Sequence, residues 1–468
     1  MQYTLSPPQT SASLTPGRKI FNAAASVAAC SALVGLAATG KELAVARWFG
    51  RSDALDAYLI AYLLPSFLVT LVAGSFNAAM IPTFIEVRER EGKEAAQRLF
   101  SGVMVVSLGL LVGVSVMVGA LAPYFLPVLG SGFSPAKLLL TRRLLYVLLP
   151  FIFLSGLGVV WTAILNAGEH FGLPALSAIL VPLSIIGFLL LLGKTWGTFT
   201  LAAGTVTGVA LQAFLMGSLL RKRGVRLEPR WYGWDPNLRK VIGQYAPMLA
   251  GALLMGSTEL VDQSMAAMLQ PGSVAALNYA RKIISLFIVV GATPLGNAAL
   301  PYFSQMVSTH DWSGCRHTLR VYSRLIVLVT VPITLALVVF SHPLIRILFQ
   351  RGAFTAADTG VVSRVQAFLS LQIPFYFLTI LGVRLISALK RNWVLMVVSG
   401  VNMVLNIVFN LILMRYMGVA GIALSTSFVY LVACTLVYAS IARSLWRRGR
   451  LEGVLEPPPT PSLTKEGS

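Results

Sequence analysis

Apolar residues run in blocks of twenty or more along nearly the whole chain, separated by short polar or basic stretches. A helix that crosses the hydrocarbon needs about 20 such residues, each rising 1.5 Å. Blocks of that length recur at about 22–50, 56–85, 99–129, 138–166, 172–193 and 198–220, and again at 241–270, 274–306, 318–349, 358–389, 393–415 and 418–442. The pattern predicts an all-α polytopic membrane protein of about 12 transmembrane helices. Residues 1–17 are polar and rich in Ser, Thr and Pro, without the apolar core of a signal peptide. The first block is therefore expected to stay in the mature chain.

The two sets of six blocks repeat one another. Span two ends Asn77-Ala78-Ala79-Met80-Ile81-Pro82-Thr83-Phe84, and span eight ends Asn297-Ala298-Ala299-Leu300-Pro301-Tyr302-Phe303. Span four reads Pro150-Phe151-Ile152-Phe153-Leu154, and span ten reads Pro374-Phe375-Tyr376-Phe377-Leu378. Glu42 in span one has a counterpart in Glu259 of span seven, each followed by Leu. The copies lie about 217 to 224 residues apart and keep their order. Six helices is an even number, so the copies share one orientation: parallel-repeat six-helix lobes, with a central cavity expected between them. The predicted divisions are a polar cytoplasmic tail (1–19), an N-terminal lobe (20–223), a basic linker (224–240), a C-terminal lobe (241–445) and a disordered tail (446–468).

Composition supports the membrane class. Of 468 residues, 56% are hydrophobic and only 12% charged, where a soluble chain is about a quarter charged. The net charge of +20 invites a nucleic-acid reading. Its bearers, however, cluster in alternate loops: Arg88, Arg90, Lys93 and Arg98; Arg221 to Lys240; Arg316, Arg320 and Arg324; Lys390 and Arg391; Arg443 to Arg450. That is the distribution that orients helices, so a nucleic-acid partner is not expected and both termini are placed in the cytoplasm. Three scattered cysteines, Cys30, Cys315 and Cys434, suggest neither a disulfide framework nor a metal set.

Ionisable groups inside spans are costly and mark cavities or partners. Span one holds Lys41 and Glu42, with Arg47 nearer its outer end; span seven holds Glu259 and Asp262, three apart on one face; span eight opens with Arg281 and Lys282. Lys41 and Glu42, about 100° apart around the helix, are expected to meet different partners. Cationic groups from spans one and eight facing a shared cavity would suit an anionic head group such as a pyrophosphate. Asn402 and Asn406, four apart, could join Asp262 and Thr426 in an oxygen cage for a small cation, or serve as hydrogen-bonded glue between helices. His310, Asp311, Cys315 and His317 share a loop, but their spacing is poor for zinc. No phosphate-binding Gly-Lys loop, paired-His metal motif or nucleophile elbow is present, so no catalytic residue, metal or cofactor is expected.

Several motifs together resemble the MurJ (MviN) family of lipid II flippases, within the multidrug, oligosaccharidyl-lipid and polysaccharide exporter superfamily. They are Lys41-Glu42 with Ala46-Arg47-Trp48-Phe49-Gly50, Asp56-Ala57-Tyr58 with Leu64-Pro65, Tyr279-Ala280-Arg281-Lys282, the segment Gly296 to Pro301, and Leu348-Phe349-Gln350-Arg351-Gly352-Ala353-Phe354-Thr355. The resemblance runs from about Ile20 to Leu445. It implies a multi-pass protein of the bacterial inner membrane that moves a polyprenyl-pyrophosphate-linked saccharide from the cytoplasmic to the periplasmic leaflet by alternating access. Lipid II, for peptidoglycan biosynthesis, is the first candidate. The expected partners are this anionic lipid-linked saccharide, membrane lipids and cell-envelope synthesis enzymes. The drive would be Na+ or H+ coupling or the membrane potential.

On this reading Lys41, Glu42, Arg47, Asp56, Arg281 and Lys282 bind substrate, while Glu259, Asp262, Asn402, Asn406 and Thr426 couple a cation. The family pattern is not followed everywhere. Its Arg-Asp pair in span one appears as Lys41-Glu42, and no Arg lies between Lys19 and Arg47. Val69 and Thr70 stand where basic residues follow Leu-Pro, and Lys282 stands for the arginine that opens span eight. Lysine offers phosphate a point charge where arginine offers a bidentate fork. The chain as read also ends after span twelve, whereas many members have two further helices. An exopolysaccharide or O-antigen precursor is the alternative cargo, and a cation-coupled multidrug exporter of the same superfamily is the alternative transporter.

Overall fold

The structure, a computed structural model, describes residues 16–167, 172–225 and 227–455; most of the predicted N-terminal tail and the last part of the C-terminal one lie outside them. All regular elements among the described residues are helices. The first repeat comprises α1 (Pro16–Phe49), α2 (Asp53–Val69), a π-helical turn (Thr70–Gly74), α3 (Ser75–Arg90), α4 (Lys93–Leu129), α5 (Pro135–Ala167), α6 (Gly172–Ser177), α7 (Leu180–Trp196) and α8 (Phe199–Lys222). The second comprises α9 (Pro236–Ala267), α10 (Ser273–Phe287), a second π-helical turn (Ile288–Ala292), α11 (Thr293–Ser308), α12 (Trp312–Val339), α13 (Ser341–Phe349), α14 (Ala356–Ser370), α15 (Gln372–Ala388), α16 (Asn392–Met417) and α17 (Val419–Leu455).

Among the described residues, eleven helical stretches are long and apolar enough to cross a membrane. The place of span seven is taken by α9, whose 32 residues give about 48 Å of helix. The internal repeat has a structural signature that composition did not reveal. Spans two and eight are each interrupted by a five-residue π-helical turn, at Thr70–Gly74 and Ile288–Ala292, and the two turns are about 218 residues apart. Such a turn breaks the regular hydrogen-bond ladder and lets a helix bend, and it is common at functional sites.

Three predicted spans are divided. Span five is α6 and α7, span nine continues past Phe340 into α13, and span ten is α14 and α15. In each, a proline stands third in the helix after the break: Pro182, Pro343 and Pro374. Proline has no N–H to donate back across the break, whereas an N-terminal helical position asks none of it.

The chain forms two compact units. The first contains Met1–Val45, Pro65–Ala122 and Arg143–Leu249. Its core includes Met80, Phe84, Leu99, Phe100, Val160, Ile164, Met216 and Leu238. The basic linker belongs to this unit: Ser101 Oγ accepts from Arg230 N at 2.7 Å and donates to Glu228 O at 2.9 Å. Lys240 Nζ reaches Glu86 Oε2 at 2.6 Å and holds that carboxyl below its usual range. Helices α7 and α8 of the same unit approach through Gly204 and Gly208, a small-xxx-small pair. A methyl at these positions would lie 2.7 Å from Ile185 Cα and 2.6 Å from Val181 Cα.

The second unit contains Ala46–Leu64, Pro123–Arg142 and Ala250–Ser468. Phe303, Trp312, Leu381, Leu385, Val394 and Val437 lie in its main apolar cluster. It also takes in the end of α1, most of α2, the end of α4 and the start of α5. The division therefore departs from a simple cut at the linker, and the candidate site below follows from it.

Gly208→Val should force α7 and α8 apart and destabilise the folded protein by about 1–3 kcal/mol. Thermal unfolding in detergent would show this as a lowered midpoint, with Gly208→Ala giving a smaller drop.

Candidate functional site

Two buried carboxylates organise the second unit, and the first is Asp56, 1% exposed, near the start of α2. Helix α10 begins at Gly272, which has no side chain to cap it. Asp56 supplies the cap from another helix. Its Oδ2 accepts from Gly272 N at 2.7 Å and its Oδ1 from Ala275 N at 2.8 Å. These are the N-cap and third-residue amides that a capping box would satisfy from within one chain segment. The positive end of α10 stabilises the negative charge. Lys137 Nζ, from α5, lies 3.1 Å from Asp56 Oδ2, also binds Asp53 and sits 3.9 Å from the centre of the Phe133 ring.

Backbone contacts extend this joint. The Tyr279 hydroxyl donates to Gly50 O at 2.9 Å, and Ala353 N donates to Arg47 O at 2.8 Å. Arg51 Nε pairs with Asp358 Oδ1 at 3.2 Å. The other oxygen of Asp358 accepts from Thr355 N at 2.8 Å, within the capping box that starts α14. The Tyr279 ring lies 5.2 Å from Phe349 and 5.5 Å from Phe354. Gly50 and Gly352 adopt φ of +52° and +62°, and a Cβ on either would collide with a backbone carbonyl, of Ala353 or Arg47. The stretch Leu348 to Thr355 is thus a connector in which the glycine permits the turn, the aromatics pack on Tyr279 and the threonine starts the next helix.

The second carboxylate is Asp262 of α9, 0% exposed. Asn406 Nδ2 and Asn410 Nδ2 donate to its Oδ1 at 2.9 and 2.8 Å. Thr426 Oγ1 donates to Oδ2 at 3.3 Å, and the Arg281 guanidinium bonds the same oxygen. Arg281 Nη1 also lies 3.6 Å from Oε1 of Glu259, whose side chain is 65% exposed. The structure thus joins Asp262, Asn406 and Thr426 as the spacing suggested. It adds Arg281 and Asn410, and none of these bonds involves Asn402, whose Oδ1 is buried without a hydrogen-bond partner.

In the first unit, Lys41 Nζ lies 2.6 Å from Glu42 Oε1, so these neighbours pair with each other although different partners were expected. Arg47 and Lys282 are exposed. Val69 is buried, and Thr70 Oγ1 donates to Ser66 O at 3.0 Å. The four potential metal ligands do not share a loop as expected: His310 and Asp311 precede α12, Cys315 and His317 lie within its first two turns, and Asp311 caps the helix. The Gly314 N–H and the Ser313 hydroxyl keep its carboxyl below the usual range.

A family model described as lipid II flippase MurJ matches residues 45–452. The chain belongs to the MurJ family. A probable lipid II flippase MurJ of Synechocystis sp. is 26% identical over 448 residues, covering 92% of this chain and 82% of that protein. A Vibrio cholerae relative of the same description is 25% identical over 445 residues, covering 92% and 84%. The fold matches a solved structure of lipid II flippase MurJ in an inward closed conformation, with TM-score 0.77, 21% identity and 92% and 90% coverage. It also matches an inward-facing MATE-family multidrug transporter, with TM-score 0.75, 14% identity and 89% and 95% coverage. The chain is thus a bacterial multi-pass membrane transporter of the MurJ family, not an enzyme.

Lys137 and Asn410 were not singled out as site residues from the sequence. Asn410 had a signal, since it extends the four-residue stripe of Asn402 and Asn406. Lys137 had none, because it reaches Asp56 across 81 residues.

Asp56→Ala leaves two helix-terminal amides without their acceptor and Lys137 with Asp53 as its remaining carboxylate, and should cost about 3 kcal/mol or more. Asp56→Asn keeps one acceptor oxygen and should cost less. Denaturation midpoints of the two purified variants would check the order.

Proposed function

We propose that this chain is a flippase for lipid II, moving the precursor's pyrophosphate-sugar head group from the cytoplasmic to the periplasmic leaflet of the inner membrane. The observation that carries the reading is the MurJ family match along residues 45–452. Both termini would be cytoplasmic, which puts the Asp56 joint at the periplasmic ends of the helices. There it would act as the outer latch, broken when the carrier opens outward. The latch relies on hydrogen bonds, ion pairs and one aromatic cluster, all formed within the second unit.

An anionic head group inside the bilayer needs cationic partners. Lys41, Arg47 and Lys282 are the residues we assign to it, with Glu42 orienting Lys41 and Asp56 acting as a gate rather than as a direct ligand. Arg281 is committed to Asp262 in the state described, so its contribution to substrate would require that pair to open. Surrounding lipid would hold the polyprenyl tail, and cell-envelope synthesis enzymes would supply and consume the cargo. The MATE-like fold alone does not favour a drug exporter, because the same fold carries both kinds of substrate and the assigned cations suit an anion.

The test is complementation. In a bacterium depleted of its own lipid II flippase, expression of this chain should restore growth and exposure of lipid II on the outer leaflet. Lack of rescue, with the protein present in the membrane, would redirect the proposal to another lipid-linked saccharide, with Val69 and Thr70 as the first positions to revert. In the rescuing strain, Lys41→Ala and Lys282→Ala should each lower transport by about tenfold or more, the equivalent of one charge-assisted hydrogen bond. Unchanged transport in both would remove them from the substrate site.

A further inference from the structure

A buried carboxylate such as Asp262 needs a compensating positive charge. A coupling sodium ion could supply it, given several oxygens directed at one point. The groups around Asp262 do not fit that ion. Asn406 and Asn410 turn their NH2 groups to the carboxylate, Thr426 donates its hydroxyl, and Arg281 places its guanidinium on Oδ2. The two amides and the guanidinium donate to the carboxylate, and the single Thr426 hydroxyl proton is shared between it and Ile422 O, at 3.1 Å. An amide beside an ionised carboxylate presents its NH2; beside a cation it presents its oxygen. The side chains are therefore arranged for a site whose positive charge has already been provided.

We propose that Arg281 is the resident cation of this site, its guanidinium taking the place of a coupling sodium ion at Asp262, so that the transport cycle proceeds without Na+ bound there. The charge is covalently tethered to α10, so opening and closing of the Asp262 pair becomes a movement of Arg281 rather than the arrival and departure of an ion. Glu259, 3.6 Å from Nη1 and largely exposed, offers the arginine a second anionic partner on the same helix as the first. The inference rests on the transporter reading but not on which lipid is carried.

Thermal unfolding of the full chain in detergent, without lipid substrate, tests it as NaCl replaces choline chloride at constant ionic strength. The wild-type midpoint should not respond selectively to Na+. Arg281→Met and Arg281→Gln should acquire a saturable rise of about 2–4 °C, and adding Asp262→Asn to either should abolish it. A saturable, Na+-selective rise in the wild type that Asp262→Asn removes would overturn the proposal. So would folded Met and Gln variants with no response. If neither variant folds, the wild-type measurement and Arg281→Lys decide: the tethered ammonium should keep the protein insensitive to Na+, and sensitivity would count against the proposal. Failure of lipid II complementation with this pattern intact would remove the proposed cargo alone.

Discussion

The carboxylate of Asp56 is the constraint on which one end of the second unit depends. Helix α10 starts at a glycine, which offers no side chain to its first amides. Asp56 meets two of them and is itself held by Lys137. Three segments distant in sequence are thereby fixed by one side chain. With α10 located, Tyr279 can reach Gly50 O and present its ring to Phe349 and Phe354. The turn at Gly352 then brings Ala353 N to Arg47 O.

Asp262 meets the same physical difficulty with different donors. It too is an acid with no exposure, but side chains rather than helix-terminal amides surround it. Arg281 joins α9 to α10, while Asn406, Asn410 and Thr426 bring in α16 and α17. In a bilayer, apolar packing between helices has little hydrophobic driving force, since lipid tails are as apolar as leucine. Directional polar bonds therefore distinguish one helix arrangement from another. A carrier that alternates between states gains from concentrating its specificity in a few such bonds, which can be exchanged while the apolar surfaces stay in lipid.

The paired π-helical turns belong to the same logic. They recur at matching places in spans two and eight, where the repeated motifs Asn77 to Phe84 and Asn297 to Phe303 follow shortly after. A helix weakened at one turn can bend there while the parts on either side stay regular. In the second span, the change from the second unit to the first falls inside α2 at Leu64–Pro65, five residues before that turn.

The class, the approximate number of spans, the internal repeat and the family were legible in the sequence, because hydropathy, periodicity and motif order are local properties of the chain. The prolines that divide spans five, nine and ten were visible as well, though only the structure turned them into breaks. The identity of each acid's partners was not legible. Spacing puts Asn402, Asn406 and Asn410 on one stripe of α16, but it does not say which two meet Asp262. Nor does any spacing join Asp56 to Lys137, 81 residues on, or to Gly272, 216 residues on. A helix's sequence states which residues share a face. Only the packing of other helices against that face decides whether an acid meets a lysine, an arginine or the free amides of a helix end.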